Sequence, residues 1–216
     1  MQLSTTLKAL AAAAALGLGA LTAAPASAAT PGIVLDDNFA TTTGGDWTMG
    51  WSFRADTSQQ LLGLGAFDYQ EDGLYLDHEV GIWDASGALL ASVVVTSADP
   101  LISGYRFASI APLTLKAGST YVVGAADYGN ARDPIPVVGT MTIAPGVTYL
   151  ESRYFRGTGL HLPERVLTRS QPAANILLAS AVPEPATWAM MIVGFGAAGA
   201  MVRATRRRQA ATAASA

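Results

Sequence analysis

Apolar residues recur at every second position through the middle of this chain, and that spacing admits strands and little else. In "WTMGWSFRA" (47–55), Trp47, Met49, Trp51 and Phe53 fall on one side, with Thr48, Ser52 and Arg54 on the other. Successive side chains of an extended strand point to opposite faces, so the pattern predicts one buried and one wet face. "LLGLGAFDY" (61–69) reads as a second strand, with Gly63 and Gly65 marking a bulge or close packing. "HEVGIWDASGALLASVVVTS" predicts a hairpin: His78 to Trp83, a type I turn at Asp84-Ala85-Ser86-Gly87, then Ala88 to Thr96. "GYRFASI" (104–110) is another strand. "LTLKAGSTYVVGAAD" predicts a second hairpin, Leu113 to Leu115 and Thr120 to Ala126 about a turn at Lys116–Ser119. "VTYLESRYF" (147–155), "RVLTRS" (165–170) and "ANILLAS" (174–180) complete a set of eight to ten short strands, with no helical period between them. The expectation is an all-β fold, an antiparallel β-sandwich, with a jelly roll as one form of it.

The two ends read differently. "MQLSTTLKALAAAAALGLGALTAAPASAAT" opens with one cation, Lys8, continues with an apolar run to about Leu21, and reaches Ala26-Ser27-Ala28. Small residues at Ala26 and Ala28 fit the cleavage rule of an N-terminal signal peptide, so removal by signal peptidase is expected after Ala28, with Ala24-Pro25-Ala26 as a second site. At the other end, Ala186 to Val202 carries no charge and is followed by Arg203, Arg206, Arg207 and Arg208. As a helix it would span roughly 25 Å, the short edge of what crosses a bilayer core. Trp188 suits the headgroup level, and the arginines form a membrane stop that keeps the C-terminus in the cytoplasm and the domain outside it. Pro183 and Pro185 hold the preceding backbone extended.

Taken together, "VPEPATWAMMIVGFGAAGAMVRATRRR" (182–208) resembles the PEP-CTERM sorting signal of Gram-negative bacteria. The resemblance is carried by Pro183, Glu184, Pro185, Trp188, Ala189, Met190 and Met191, then Gly194, Phe195, Gly196 and Gly199, then the arginines. It implies recognition by exosortase, processing of the tail, and release or attachment at the cell surface, commonly alongside exopolysaccharide and biofilm matrix. The middle also resembles a known family. The segments "GWSFRADTSQQLLGLGAFDYQEDGLYLDHEVGIWDASGALLASVVV" and "YRFASIAPLTLKAGSTYVVGA" are similar to an uncharacterised β-sandwich domain of exported bacterial proteins, over roughly Thr48 to Ala181. That resemblance implies a fold and no ligand.

Charge and motif content narrow the chemistry. The middle holds 8 of the 13 Lys and Arg residues and 15 of the 16 Asp and Glu residues, a net charge of −7. Such a surface repels nucleic-acid phosphates, so no nucleic-acid partner is expected. There is no cysteine, which removes disulfides, thiolate catalysis and cysteine-ligated metals. "DYQEDGLYLDHE" (68–79) gathers Asp68, Glu71, Asp72, Asp77 and Glu79 around His78, but its spacing matches no EF-hand, so it reads as a solvated loop rather than a calcium site. His78 reads as a strand histidine with a surface partner. His161 lies far away in "GTGLHLPE", which makes a zinc pair improbable. Asp84 is explained by its turn, and no nucleophile elbow, phosphate loop or dinucleotide fingerprint is present. Trp47, Trp51, Trp83, Tyr69 and Tyr75 could stack on sugars if they shared an exposed face, although period-two aromatics usually form core. The long polar loop "DYGNARDPIPVVG" (127–139) is the first place to look for binding.

The organisation expected is therefore a signal peptide (1–28), a lead-in (29–46), a β-sandwich domain (47–181), the sorting signal (182–208) and a disordered tail (209–216). Within the signal the membrane helix covers 186–202 and the basic stop 203–208. The function expected is that of an exported, non-catalytic surface or extracellular-matrix protein without cofactor or metal. It is anchored first in the inner membrane with its domain outside the cytoplasm, and is found afterwards at the cell surface or in the matrix. A carbohydrate-binding module gripping exopolysaccharide is the second reading, and a hydrolase using Asp68 or Asp84 the third.

Overall fold

The structure is a computed structural model, and it describes residues 29–180, 191–196, 199 and 203. One compact unit covers Ala28–Ser180. Strands run in the order β1 (Ala29–Pro31), β2 (Ile33–Leu35), β3 (Phe39–Thr42), β4 (Trp47–Ala55), β5 (Gln59–Phe67), β6 (His78–Asp84), β7 (Leu89–Val95), β8 (Leu101–Ile102), β9 (Tyr105–Leu115), β10 (Thr120–Tyr128), β11 (Ile135–Val138), β12 (Met141–Ile143), β13 (Val147–Arg156), β14 (Arg165–Val166) and β15 (Ala174–Ala179). One sheet has the order β1-β15-β5-β9-β8, the other β14-β13-β4-β10-β6-β7, and two short ribbons pair β11 with β3 and β12 with β2. The pairings are antiparallel. The chain is thus the all-β, antiparallel sandwich that its alternation predicts.

The core lies between the two sheets. Met49, Trp51 and Phe53 of β4, Val123 and Ala125 of β10 and Val80 and Ile82 of β6 meet Leu61, Leu64 and Ala66 of β5, Tyr105 and Phe107 of β9 and Ile176 and Leu178 of β15. Three polar tips bridge this apolar layer. Trp51 Nε1 donates to the Ala174 carbonyl at 2.9 Å, Tyr128 Oη to the Phe67 carbonyl at 2.6 Å, and Tyr105 Oη to the Pro172 carbonyl at 2.6 Å. Burial raises the pKa of both tyrosine hydroxyls, which stay protonated donors.

The first predicted hairpin forms as read. β6 and β7 pair around Asp84–Gly87, where Gly87 N–H bonds the Asp84 carbonyl at 3.0 Å and Gly87 takes φ +85°. The second does not. The turn at Lys116–Ser119 exists, but β9 pairs with β5 in one sheet and β10 with β4 and β6 in the other. The turn crosses between sheets and is held by β4 instead, with Gly118 N–H on the Ala55 carbonyl at 2.7 Å and Ala55 N–H on the Ser119 carbonyl at 3.0 Å. Turn chemistry reverses the chain without choosing the partner. The segments predicted at 104–110 and 113–115 are one strand with a bulge between them.

A second correction concerns the far face of β4. Thr48 and Ser52, expected in water, are 0% and 2% exposed; only Arg54 is open on that side. The loop "GTGLHLPE" lies over them as a strap. Thr48 Oγ1 donates to the Gly159 carbonyl at 2.9 Å and accepts from His161 N–H at 3.2 Å. Gly50, Gly124 and Gly81 stand in register across β4, β10 and β6, and Gly124 and Gly81 leave a trench for it. A Cβ on Gly124 would meet Pro163 at 2.8 Å, and one on Gly81 would meet Leu160 at 2.9 Å.

Candidate functional site

Two stretches marked by sequence come together in the fold. They are the acidic segment 68–79 and the loop 127–139, and Asp133 joins them. An Asx turn shapes the loop, with Asn130 Oδ1 accepting from Arg132 N–H at 2.9 Å and Asp133 N–H at 2.7 Å. The Asp133 carboxylate, 2% exposed, then accepts from Tyr75 N–H at 2.9 Å and Leu76 N–H at 3.0 Å. Its Oδ2 lies 3.6 Å from His78 Nε2, too long for a hydrogen bond. Burial pushes the Asp133 carboxyl upward; His78 and the two backbone N–H groups pull harder, and it ends below the usual carboxylate range.

His78 is therefore not a surface histidine. It is fully buried, stacks on Tyr128 at 4.1 Å, and sets Nδ1 2.7 Å from the Ala126 carbonyl. Nor is the acidic segment wholly solvated. Asp68 is 1% exposed, forms an ion pair with Arg106 at 2.7 Å, and accepts from Gly73 N–H at 3.2 Å. These ties shape a tight bend in which Gln70 and Glu71 take φ of 66° and 59°, an uncommon conformation for non-glycine residues. No three His, Asp or Glu side chains among the described residues are grouped to hold a metal ion.

The result at this end of the sandwich is an open groove of about 320 Å³, lined by Tyr69, Gln70, Asp72, Tyr75, Ala131 and Arg132. Tyr75 is 55% exposed, and the Arg132 guanidinium lies 4.4 Å from its ring centre. The other aromatics named from sequence do not join it as a single platform. Trp51 and Trp83 are buried, and Trp47 is half-buried beneath Arg156 and packs on Tyr154. Asp84 lies on the first hairpin, where Oδ1 accepts from Ser86 and Ala88 N–H groups. His161 stacks on Phe155 in the strap. Asp133, Arg132 and Arg106 went unremarked in the sequence; the Asn130-to-Asp133 spacing of an Asx turn was the one local signal available for the first of them.

The residue pattern of this sandwich has relatives. Residues 35–165 match the family described as a domain of unknown function, DUF4082. The chain belongs to that family. The DUF4082 match takes in both the groove and the strap. Residues 181–208 match the PEP-CTERM protein-sorting motif, which makes the chain an exported protein sorted by exosortase and held at the membrane before processing. No curated protein matches the chain. The motif begins two residues past the last residue of β15. Pro183, Glu184, Pro185, Trp188, Arg206, Arg207 and Arg208, with the signal residues Ala26 and Ala28, lie outside the described residues. Of the basic stop, Arg203 is described: it is helical and exposed, as are residues 191–196. Among the described residues, no helix is long and apolar enough to cross a membrane.

Proposed function

We infer that this protein is a non-catalytic component of the cell surface or extracellular matrix of a Gram-negative bacterium, linked to exopolysaccharide or biofilm. Residues 1–28 direct export and are removed by signal peptidase. The segment 186–202 crosses the inner membrane, with the sandwich outside the cytoplasm, until exosortase acts at Pro183-Glu184-Pro185. The observation that carries this reading is the sorting motif at 181–208 placed directly after the last strand. The carboxylates a hydrolase would use have other work: Asp68 pairs with Arg106 and Asp84 shapes its turn. Mass spectrometry of the mature C-terminus tests the assignment. Wild type ends before Arg203, and Pro183→Ala with Pro185→Ala leaves a full-length species in the membrane fraction. Surface-released protein that still carries Arg208 overturns it.

A second reading, a carbohydrate-binding module, is favoured by the exposed Tyr75 beside Gln70, Asp72 and Arg132, since an open ring flanked by polar groups suits the C–H face of a sugar. Pull-down on the polysaccharide of the producing strain, lost in Tyr75→Ala, supports it; equal retention of both proteins opposes it.

A further inference from the structure

The two large sheets have four outer edges, and three of them are blunted. β8 and β14 are two residues long, and β1 is three residues long and ends in Pro31. Where β9 runs on past β8 it carries a bulge and Pro112, and where β13 runs on past β14 it carries a bulge and Glu151. Short strands, proline, bulges and charge are the devices that keep an open edge from pairing with another chain. β7, the fourth edge, lacks them over most of its length. It pairs with β6 residue for residue from Ala91 to Val95, its one irregularity lies at the Leu90 end, and no second strand among the described residues pairs with its other side. Its sequence, "LLASVVV", holds no charge, proline or glycine. Ser92 is exposed, and so is Val94, at 51%.

An unpaired row of N–H and C=O groups is matched by a second row of the same length and spacing. Among the described residues, β7 itself is the one strand longer than four residues that is uncharged, free of proline and open on one side. Charge points the same way. The middle of the chain carries a net −7, so two copies repel each other over much of their surface, and β7 is a neutral window in it. Two antiparallel copies of one strand present the same groups to each other about a two-fold axis, so donors on each meet acceptors on the other. We propose that β7 is an interface between two copies of this chain, paired antiparallel about a two-fold axis within Ala91–Val95 so that two six-stranded sheets become one. Because the other edges are blunted, the contact closes at two copies and does not propagate. Two strands of this length bury less than the roughly 1,200 Å² of a standard interface, so the dimer is reversible, with a Kd of about 10–100 µM.

The chain has no cysteine, so single introduced cysteines report the contact without background. The test uses the full chain in lauryldimethylamine oxide, with Ala91→Cys, Ser92→Cys, Val93→Cys and Val94→Cys oxidised one at a time, and Leu150→Cys, exposed on β13, as the control. About an antiparallel two-fold axis, the residue nearest the axis faces its own copy and its neighbours diverge from theirs. One of the four positions, or two adjacent ones, therefore gives at least about fivefold more disulfide dimer than the rest and than Leu150→Cys. Sedimentation equilibrium of the wild type in density-matched buffer shows the protein mass rising with concentration from one copy to two and stopping there. Ser92→Glu releases Glu79 from its bond to Ser92 and sets carboxylates across the axis. It weakens the dimer at least about tenfold at low salt with the near-ultraviolet spectrum unchanged, and high salt restores part of the loss. Equal crosslinking at all five positions overturns the proposal, as does a dimer without crosslinks at 91–94, a Kd unchanged by Ser92→Glu, or a mass that climbs past two copies. Should Ser92→Glu fail to fold, the cysteine pattern decides alone.

Discussion

The two sides of β4 are covered by different means. The inner side buries Met49, Trp51 and Phe53 against a second sheet, and large side chains supply the contact area. The outer side buries Thr48 and Ser52 under a strap of eight residues, and the absence of side chains at Gly81 and Gly124 makes room for it. One face is filled and the other is emptied so that backbone can approach. Substitutions should therefore fail in opposite senses: truncation harms the inner face, and enlargement harms the outer one.

The largest expected effect is on the inner face. Trp51→Ala removes the largest fully buried side chain and leaves the Ala174 carbonyl without its donor. A loss of about 4 kcal/mol of unfolding free energy is expected, read from urea denaturation. A loss under about 1 kcal/mol would mean that the space between the sheets collapses freely, and the contrast would weaken.

Enlarging the outer face comes next. Gly124→Val places a Cβ 2.8 Å from Pro163 and 3.1 Å from Thr48 Cγ2. The sheet is backed by the core and cannot yield, so the strap lifts. A cost of about 2–3 kcal/mol is expected, with new protease cleavage between Gly157 and Glu164. Loss of stability without cleavage there would show that the strap follows the valine and that the trench is not what positions it.

This contrast also separates what sequence could and could not reveal. The inner face of β4 was legible because alternation within a single nine-residue strand encodes it. The outer cover was not, because it depends on Gly81 and Gly124, brought beside Thr48 only by pairing of β4, β10 and β6. "GTGLHLPE" has no period of its own, so nothing in it announced that it would bury Thr48 and Ser52. The turn at Lys116–Ser119 failed for a related reason: its residues specify a reversal, while register with Ala55 decides which sheet each arm joins. For the end groove, sequence marked both contributing segments. It missed their connection, since Asp133 meets Tyr75 and Leu76 only across 57 or 58 residues of chain.

Asp133, a buried carboxylate in the loop at the end of the sandwich, extends the comparison by pH. Asp133→Asn keeps the shape and one acceptor but discards the charge, with an expected cost of about 1–2 kcal/mol at neutral pH. The wild-type carboxyl lies below its unfolded value, so its contribution is complete above the unfolded pKa and disappears as pH falls through the folded one. The gap between wild type and variant, measured by urea titration at successive pH values, should therefore close on acidification. A gap that stays constant into acid would assign the loss to altered hydrogen bonds at Tyr75 and Leu76 rather than to charge.

The smallest effect tests the strap's polar anchor alone. Thr48→Val keeps the side-chain volume against Gly124 and removes the hydroxyl that bonds Gly159 and His161. About 1 kcal/mol is expected, because the two strap groups lose a buried partner while the trench and its apolar contacts to Leu160 and Pro163 remain. The loss should be local. Amide exchange at His161 should accelerate about fivefold, while amides of β5 and β15 in the opposite sheet exchange as before. Faster exchange in both sheets would make the strap part of the global folding unit, and the two sides of β4 would then be one cooperative structure rather than a core and a cover.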